Sequence, residues 1–328
     1  MSDLPPSDGL PPKRRRRRKK NWPRGHRRRR FRRHGRRAYI RSVYFLPSMA
    51  TLGNAVCGFG AMYIAALAAA SALNGGHALV LKDDWTKWLA GHGFVVSAYL
   101  IFLAMVFDAL DGRLARFARH TTDFGGQLDS LADVISFGAA PAFMALQLFR
   151  ADGPQNLPNV LTRLIWSIGA LYFCCAAIRL ARFNVSNEHG EQHHFSFLGL
   201  PSPGAGGTVA AWILMQQDLR QTAFSYPIDT RAHSVVAGLA DVALFVLPFI
   251  VLATGLLMVS HFRYGHVVNR YLRGRRSIGR LLVVLVMLLL LIVWHQYTLA
   301  IGTLAYAFIG VSGYLYARLR HWMTPRPI

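Results

Sequence analysis

Apolar runs of about twenty residues alternate along the chain with short polar connections, many of them basic. A helix needs roughly 20 mostly apolar residues to cross a ~30 Å hydrocarbon core. Eight stretches approach that length, near residues 45–72, 93–117, 128–150, 160–181, 203–217, 238–260, 280–297 and 299–318. The fifth is short and glycine-rich, which makes it the weakest span, and the last two are close enough to predict a tight hairpin. Inside lipid a helix satisfies its own backbone, so the pattern predicts an all-α membrane protein with about eight transmembrane helices. Gly125 and Gly126 suit the reversal between the second and third spans. Pro201 and Pro203 predict a kink at the entry to the fifth and carry no chemical role.

Composition agrees with the pattern. The 328 residues are 53% hydrophobic and only 16% charged, whereas a soluble domain carries charge on roughly 25% of its residues. The N-terminal segment has no short apolar run ending in a small-residue cleavage site, so no cleavable signal peptide is expected. Cys57, Cys174 and Cys175 fall inside predicted spans without metal-ligand spacing and read as small packing residues.

Charge adds direction. The net charge of +23 is concentrated in residues 13–41, KRRRRRKKNWPRGHRRRRFRRHGRRAYIR. Like charges with nothing apolar to bury predict a basic tail, residues 1–41, that is disordered on its own and cytoplasmic. Contact with anionic lipid headgroups and a purely topological signal are both open to it. Phosphate binding on nucleic acid is the weaker reading, because only Trp22 and Phe31 interleave the arginines; no nucleic-acid partner is expected. Lys and Arg accumulate in cytoplasmic loops. The connections after spans two, four and six and the C-terminal ARLRHWMTPRPI are basic, while the opposite loops are mixed. Both termini are therefore expected inside, at the inner cell membrane.

That orientation puts an unusual window, DALDGRLARFARHTTDFGGQLDSLAD at 108–133, at the cytoplasmic end of spans two and three. Asp108 and Asp111 are three apart and Asp129 and Asp133 four apart, so each pair shares a helix face. Folding span three against span two brings the four carboxylates together. Four anions at the edge of a low-dielectric region repel, and a divalent cation relieves them. All-oxygen ligation suits Mg²⁺ or Mn²⁺, or Ca²⁺, rather than zinc, and four carboxylates suit two ions, a recurring device for phosphoryl transfer. Gly112, Ala115 and Gly125 keep the walls low for a bulky ligand, and Arg116 offers a guanidinium to phosphate oxygens. Asp123 falls outside the spacing and reads as a loop residue. A proton- or ion-conducting transporter is the competing reading of intramembrane carboxylates.

The full spacing, D-x2-D-G-x2-A-R-x8-G-x3-D-x3-D, resembles the signature of the CDP-alcohol phosphotransferase family at every fixed position. Further matches at 45–59, 131–141, 178–185, 199–206 and 258–264 are similar to its phosphatidylserine synthase branch, the CDP-diacylglycerol–serine O-phosphatidyltransferases. The resemblance implies a six-helix core, residues 42–265, two divalent metals, CDP-diacylglycerol and L-serine as substrates, and a homodimer. It implies metal ligation by Asp108, Asp111, Asp129 and Asp133, with Asp133 also the general base. Residues 266–328, a basic loop and the C-terminal hairpin, lie beyond that core. Thr51 and Asn54, near the cytoplasmic end of span one, are candidates for hydrogen bonds to the nucleotide. Arg179 and Arg182 match the family's arginine pair and become candidates for phosphate or the serine carboxylate, with Asn184 and Ser136 beside them. Another acceptor, glycerol phosphate or inositol phosphate, remains open within the family. His189, His193 and His194 form a polar loop cluster and read as solvated.

Overall fold

The computed structural model of the chain describes residues 25–73, 84–118, 123–154, 157–188, 197–264 and 278–323. The histidine cluster at 189–194, residues 1–24 of the basic tail and the loop 266–277 lie outside the described residues. The chain divides into two units, residues 1–44 and 45–328. All but one of the elements below fall wholly in the second.

The elements are α1 (Gly25–Leu73), α2 (Asp84–Gly91), α3 (Gly93–Ala118), α4 (Asp123–Asp133), a π-helical turn (Val134–Ala139), α5 (Ala140–Asp152), α6 (Asn159–Glu188), α7 (Ser202–Ser225), α8 (Arg231–Val259), α9 (Ile278–Val293) and α10 (His295–Met323). Two short strands, β1 (Phe197–Leu198) and β2 (Arg263–Tyr264), pair antiparallel and tie the entry of α7 to the exit of α8. Gly199 turns the chain between β1 and α7 at φ 84°, where a Cβ would meet the Met258 carbonyl oxygen at 2.3 Å, so only glycine fits. The protein is thus an all-α membrane protein. Among the described residues, five segments are long and apolar enough to cross a membrane: Met49–Leu73, Gly93–Leu114, Phe124–Asp152, Asn159–Val185 and Arg231–Val259.

The weakest predicted span turns out to be central. α7 packs against α3, α5, α8, α10 and the π turn. Ala205, Gly206, Gly207, Thr208, Val209, Ala210 and Ala211 are all buried along it. Small residues let helix backbones approach closely: a Cβ on Gly206 would sit 3.3 Å from the Phe137 Cα, and one on Gly207 3.2 Å from the Met105 sulfur. A helix sheathed in protein needs small residues more than it needs hydropathy, which is why 203–217 reads weakly as a span.

Several local expectations are corrected. α1 begins at Gly25, within the basic stretch, where arginine is a good helix former. Gly125 and Gly126 lie in the first turn of α4, not in the reversal, because the helix already starts at Asp123. Pro201 and Pro203 do not kink a span. They flank Ser202 at the start of α7, where a missing N–H costs nothing because that donor has no intrahelical partner. Pro248 lies inside α8, and the Trp212 indole donates to the Ala243 carbonyl of that helix at 2.7 Å.

The last two helices are separated by Trp294 alone. Its N–H donates to the Leu290 carbonyl at 2.8 Å, and its own carbonyl accepts from the Thr298 N–H at 2.9 Å, so one residue ends α9 and starts α10. Cys57 and Cys175 are buried and Cys174 is exposed, all three as free thiols.

Candidate active site

The site is assembled from α1, α3, α4 and α6. The apolar α3 carries Asp108 and Asp111 near its end, and α4, which begins at Asp123, carries Asp129 and Asp133 one turn apart. Carboxylate oxygens of Asp108, Asp129 and Asp133 all lie within 4.8 Å of one another. Asp111 is buried, is in electrostatic contact with Asp108 and Asp129, and accepts a hydrogen bond from the Thr51 hydroxyl. The structure therefore brings all four aspartates into one neighbourhood, with three of them converging most closely.

Hard oxygen donors at this separation suit a divalent cation of the Mg²⁺, Mn²⁺ or Ca²⁺ class. The residues present fit such an ion: Asp108, Asp129 and Asp133 each offer one oxygen to a common point. Gly112 adds room, because a Cβ there would meet nothing within 4 Å. Gly125 is half-buried in the first turn of α4. The side chains of Ala115, Arg116 and Asp123 lie outside the described residues.

α1 supplies the back wall. Thr51 and Asn54, expected to face a nucleotide, are both buried and bonded to the carboxylates. The Asn54 Nδ2 donates to Asp133 Oδ1 at 3.0 Å, while its Oδ1 is buried with no hydrogen-bond partner among the described residues. Ser136, in the π turn, donates to the Asn54 main-chain carbonyl at 2.8 Å. It touches the wall rather than the cluster. Gly58 allows this contact, since a Cβ there would sit 2.6 Å from the Ser136 Cα.

The π turn begins directly after Asp133, and the Ala140 N–H donates to the Ile135 carbonyl, a five-residue step. The fully buried Tyr172 hydroxyl donates to the Phe137 carbonyl inside it at 2.9 Å. Single π turns inside α-helices occur frequently at functional sites.

From α6, Arg179 is in electrostatic contact with Asp133, Asp108 and Arg182. Its Nη1 donates to the Ser202 hydroxyl at 2.7 Å. Asn184, further along α6, accepts from the Ser130 hydroxyl at 2.9 Å, beside Asp129. It therefore clamps α6 to α4. Arg182 is half-buried on α6.

Sequence reasoning did not single out Gly58, Ser130 or Ser202. Gly58 and Ser202 lie inside the quoted stretches 45–59 and 199–206, so the signal was present as a match without a role. Nothing in the spacing marked Ser130.

The sequence model of one family, described as CDP-alcohol phosphatidyltransferase, matches residues 44–258. A Helicobacter pylori protein named CDP-diacylglycerol–serine O-phosphatidyltransferase is 29% identical over 233 residues, 71% of this chain and 85% of that protein. A Methanocaldococcus jannaschii protein of the same name is 41% identical over 108 residues, 33% of this chain and 45% of that protein. A Methanothermobacter thermautotrophicus protein named archaetidylserine synthase is 38% identical over 120 residues, 36% of this chain and 46% of that protein. The two archaeal matches thus span less than half the length of those relatives.

Proposed function

This chain belongs to the CDP-alcohol phosphatidyltransferase family, and on that premise we propose that it transfers a phosphatidyl group from CDP-diacylglycerol to L-serine, releasing CMP. The observation that carries the reading is the convergence of Asp108, Asp129 and Asp133 within 4.8 Å at the ends of two apolar helices. Serine as acceptor is supported by the names of the relatives, each of which contains serine.

Asp108, Asp111, Asp129 and Asp133 would hold two divalent cations, Mg²⁺ or Mn²⁺. Bound there, such ions supply charge neutralisation on a diphosphate and on the departing CMP. Gly112, Ala115 and Gly125 line the path of the nucleotide, with Arg116 on its phosphates. Thr51 and Asn54 fix the carboxylates of Asp111 and Asp133, and through them the nucleotide end of the cavity. Asp133 takes the proton of the serine hydroxyl, and the oxygen attacks the phosphorus bearing the diacylglycerol group in line, breaking the bond to CMP. Arg179 and Arg182 receive anionic oxygens of the substrates, with Asn184 and Ser136 on the neighbouring walls.

The cluster lies on the cytoplasmic side in this reading, at the inner membrane, with both termini inside and eight crossings that include α7, α9 and α10. Residues 1–41 form a basic tail on anionic headgroups, 42–265 the transferase core, and 266–328 the appended loop and helix pair. Two copies associate as a homodimer. The test is purified protein in detergent with CDP-diacylglycerol, Mg²⁺ or Mn²⁺, and a panel of alcohols, reading CMP release. Release with serine supports the reading. Release only with glycerol phosphate or inositol phosphate replaces the acceptor, and none with any alcohol overturns the transfer.

A further inference from the structure

The last helix, α10 (His295–Met323), lies wholly beyond the matched residues 44–258. It nonetheless packs along α7, where the Thr208 hydroxyl lies 3.4 Å from the Thr303 carbonyl oxygen. One turn further along α10, the ring of Tyr306 rests on Gly204: a Cβ there would sit 3.2 Å from the ring Cε1. A side chain at 204 would displace that ring. Where it lies, the phenol is within electrostatic range of Arg179.

Arg179 is thus approached from two elements. Ser202, two residues before Gly204, accepts from its Nη1 at 2.7 Å, and Tyr306 approaches from α10. Its Nε–H is buried and has no hydrogen-bond partner among the described residues. A buried donor left unmade is costly, and a guanidinium matches carboxylate or phosphate oxygens in geometry and charge. Asp108 and Asp133, also in electrostatic contact with this arginine, place the vacant donor at the edge of the carboxylate cluster.

We propose that Tyr306 is a positioning residue: with Ser202 it aims Arg179 so that the buried Nε–H receives an anionic oxygen of a substrate, either a phosphate of the nucleotide donor or the carboxylate of the acceptor. The appended helix then completes the site rather than merely enlarging the bundle. The inference rests on the phosphatidyl-transfer reading for its assay.

Tyr306→Phe deletes the hydroxyl and keeps the ring on Gly204. In the full-length protein, KM for one substrate rises roughly threefold to tenfold, the scale of a single hydrogen bond, while kcat and the unfolding midpoint stay at wild-type values. A rise for serine identifies the carboxylate, and a rise for CDP-diacylglycerol identifies the phosphate. In an Arg179→Lys background the same change adds no further rise, because Tyr306 acts through the arginine. Unchanged KM for both substrates, a lowered midpoint with unchanged KM, or full additivity in the Arg179→Lys background each overturns the proposal. If the wild-type protein releases CMP with another alcohol and not with serine, the serine reading fails, and the same comparison is made with that alcohol. If serine works and Tyr306→Phe matches wild type, only the Tyr306 assignment fails.

Discussion

Gly58→Ala tests whether α1 and the π turn are held at contact distance for the sake of the site. A Cβ at this position would lie 2.5 Å from the Ser136 Oγ, 2.6 Å from its Cα and 2.9 Å from its Cβ. Carbon atoms in contact sit about 3.5–4.0 Å apart, so the gap must open by about 1 Å. A side chain could rotate away from the intruder, but the Ser136 Cα is backbone and cannot. Overpacking of this kind costs about 1–3 kcal/mol. Two hydrogen bonds cross the same gap, Ser136 to the Asn54 carbonyl at 2.8 Å and Asn54 to Asp133 at 3.0 Å. An opening of about 1 Å stretches both past useful length. Misplacement on that scale can cost about a hundredfold in rate, here through Asp133. The expected result is an unfolding midpoint lowered by about 2–6 °C and CMP release reduced roughly tenfold to a hundredfold. Gly238→Ala is the control, because a Cβ there meets nothing within 4 Å; it should hold or gain stability, by up to about 1 kcal/mol of helix propensity. Both variants are purified in detergent and followed by thermal unfolding and CMP release. A Gly58→Ala protein with wild-type midpoint and turnover refutes the argument, as does a Gly238→Ala protein that loses as much.

Asp133→Asn should abolish transfer while CDP-diacylglycerol still binds, measured by CMP release alongside equilibrium binding of the donor; near-wild-type turnover removes the general-base role. Chelation with EDTA should silence CMP release, and added Mg²⁺ or Mn²⁺ should restore it; undiminished release in EDTA would contradict a cation on the aspartates. Tyr172→Phe removes the hydroxyl that bonds the Phe137 carbonyl at 2.9 Å. The cost should be about 1–3 kcal/mol, because a buried acceptor is left unpaired, seen as a lowered unfolding midpoint; an unchanged midpoint would mean that this bond does not hold the π turn.

The sequence was most informative where one physical cause dominates. Long apolar runs have few ways to satisfy their backbones, so the helices fell close to where periodicity and length placed them. The aspartates were legible because carboxylates are costly beside lipid and their spacings put each pair on one helix face. Contacts between distant segments were harder to read. Thr51 reaches Asp111 across sixty positions, and Arg179 reaches Ser202 from another helix; neither pairing has a local signature. α7 read weakly as a span because hydropathy measures fitness for lipid, while that helix is packed within protein. The π turn left no trace in the apolar pattern, since Val134–Ala139 reads as an ordinary continuation of the span.

That turn has a consequence for how this stretch can vary over evolutionary time. Each residue in an α-helix advances the side-chain direction by about 100°. The π turn inserts itself between the aspartates of α4 and the buried face of α5, so it sets the angular offset between them. The π turn holds one residue more than the α turn it replaces, so removing one residue from 134–139 and letting regular α-helix resume would nearly keep Pro141, Met144 and Leu148 in phase with the acids while closing the widened turn. Related chains that keep the π turn should therefore align without a gap from Asp133 to Ala140, and chains with plain α-helix there should be one residue shorter.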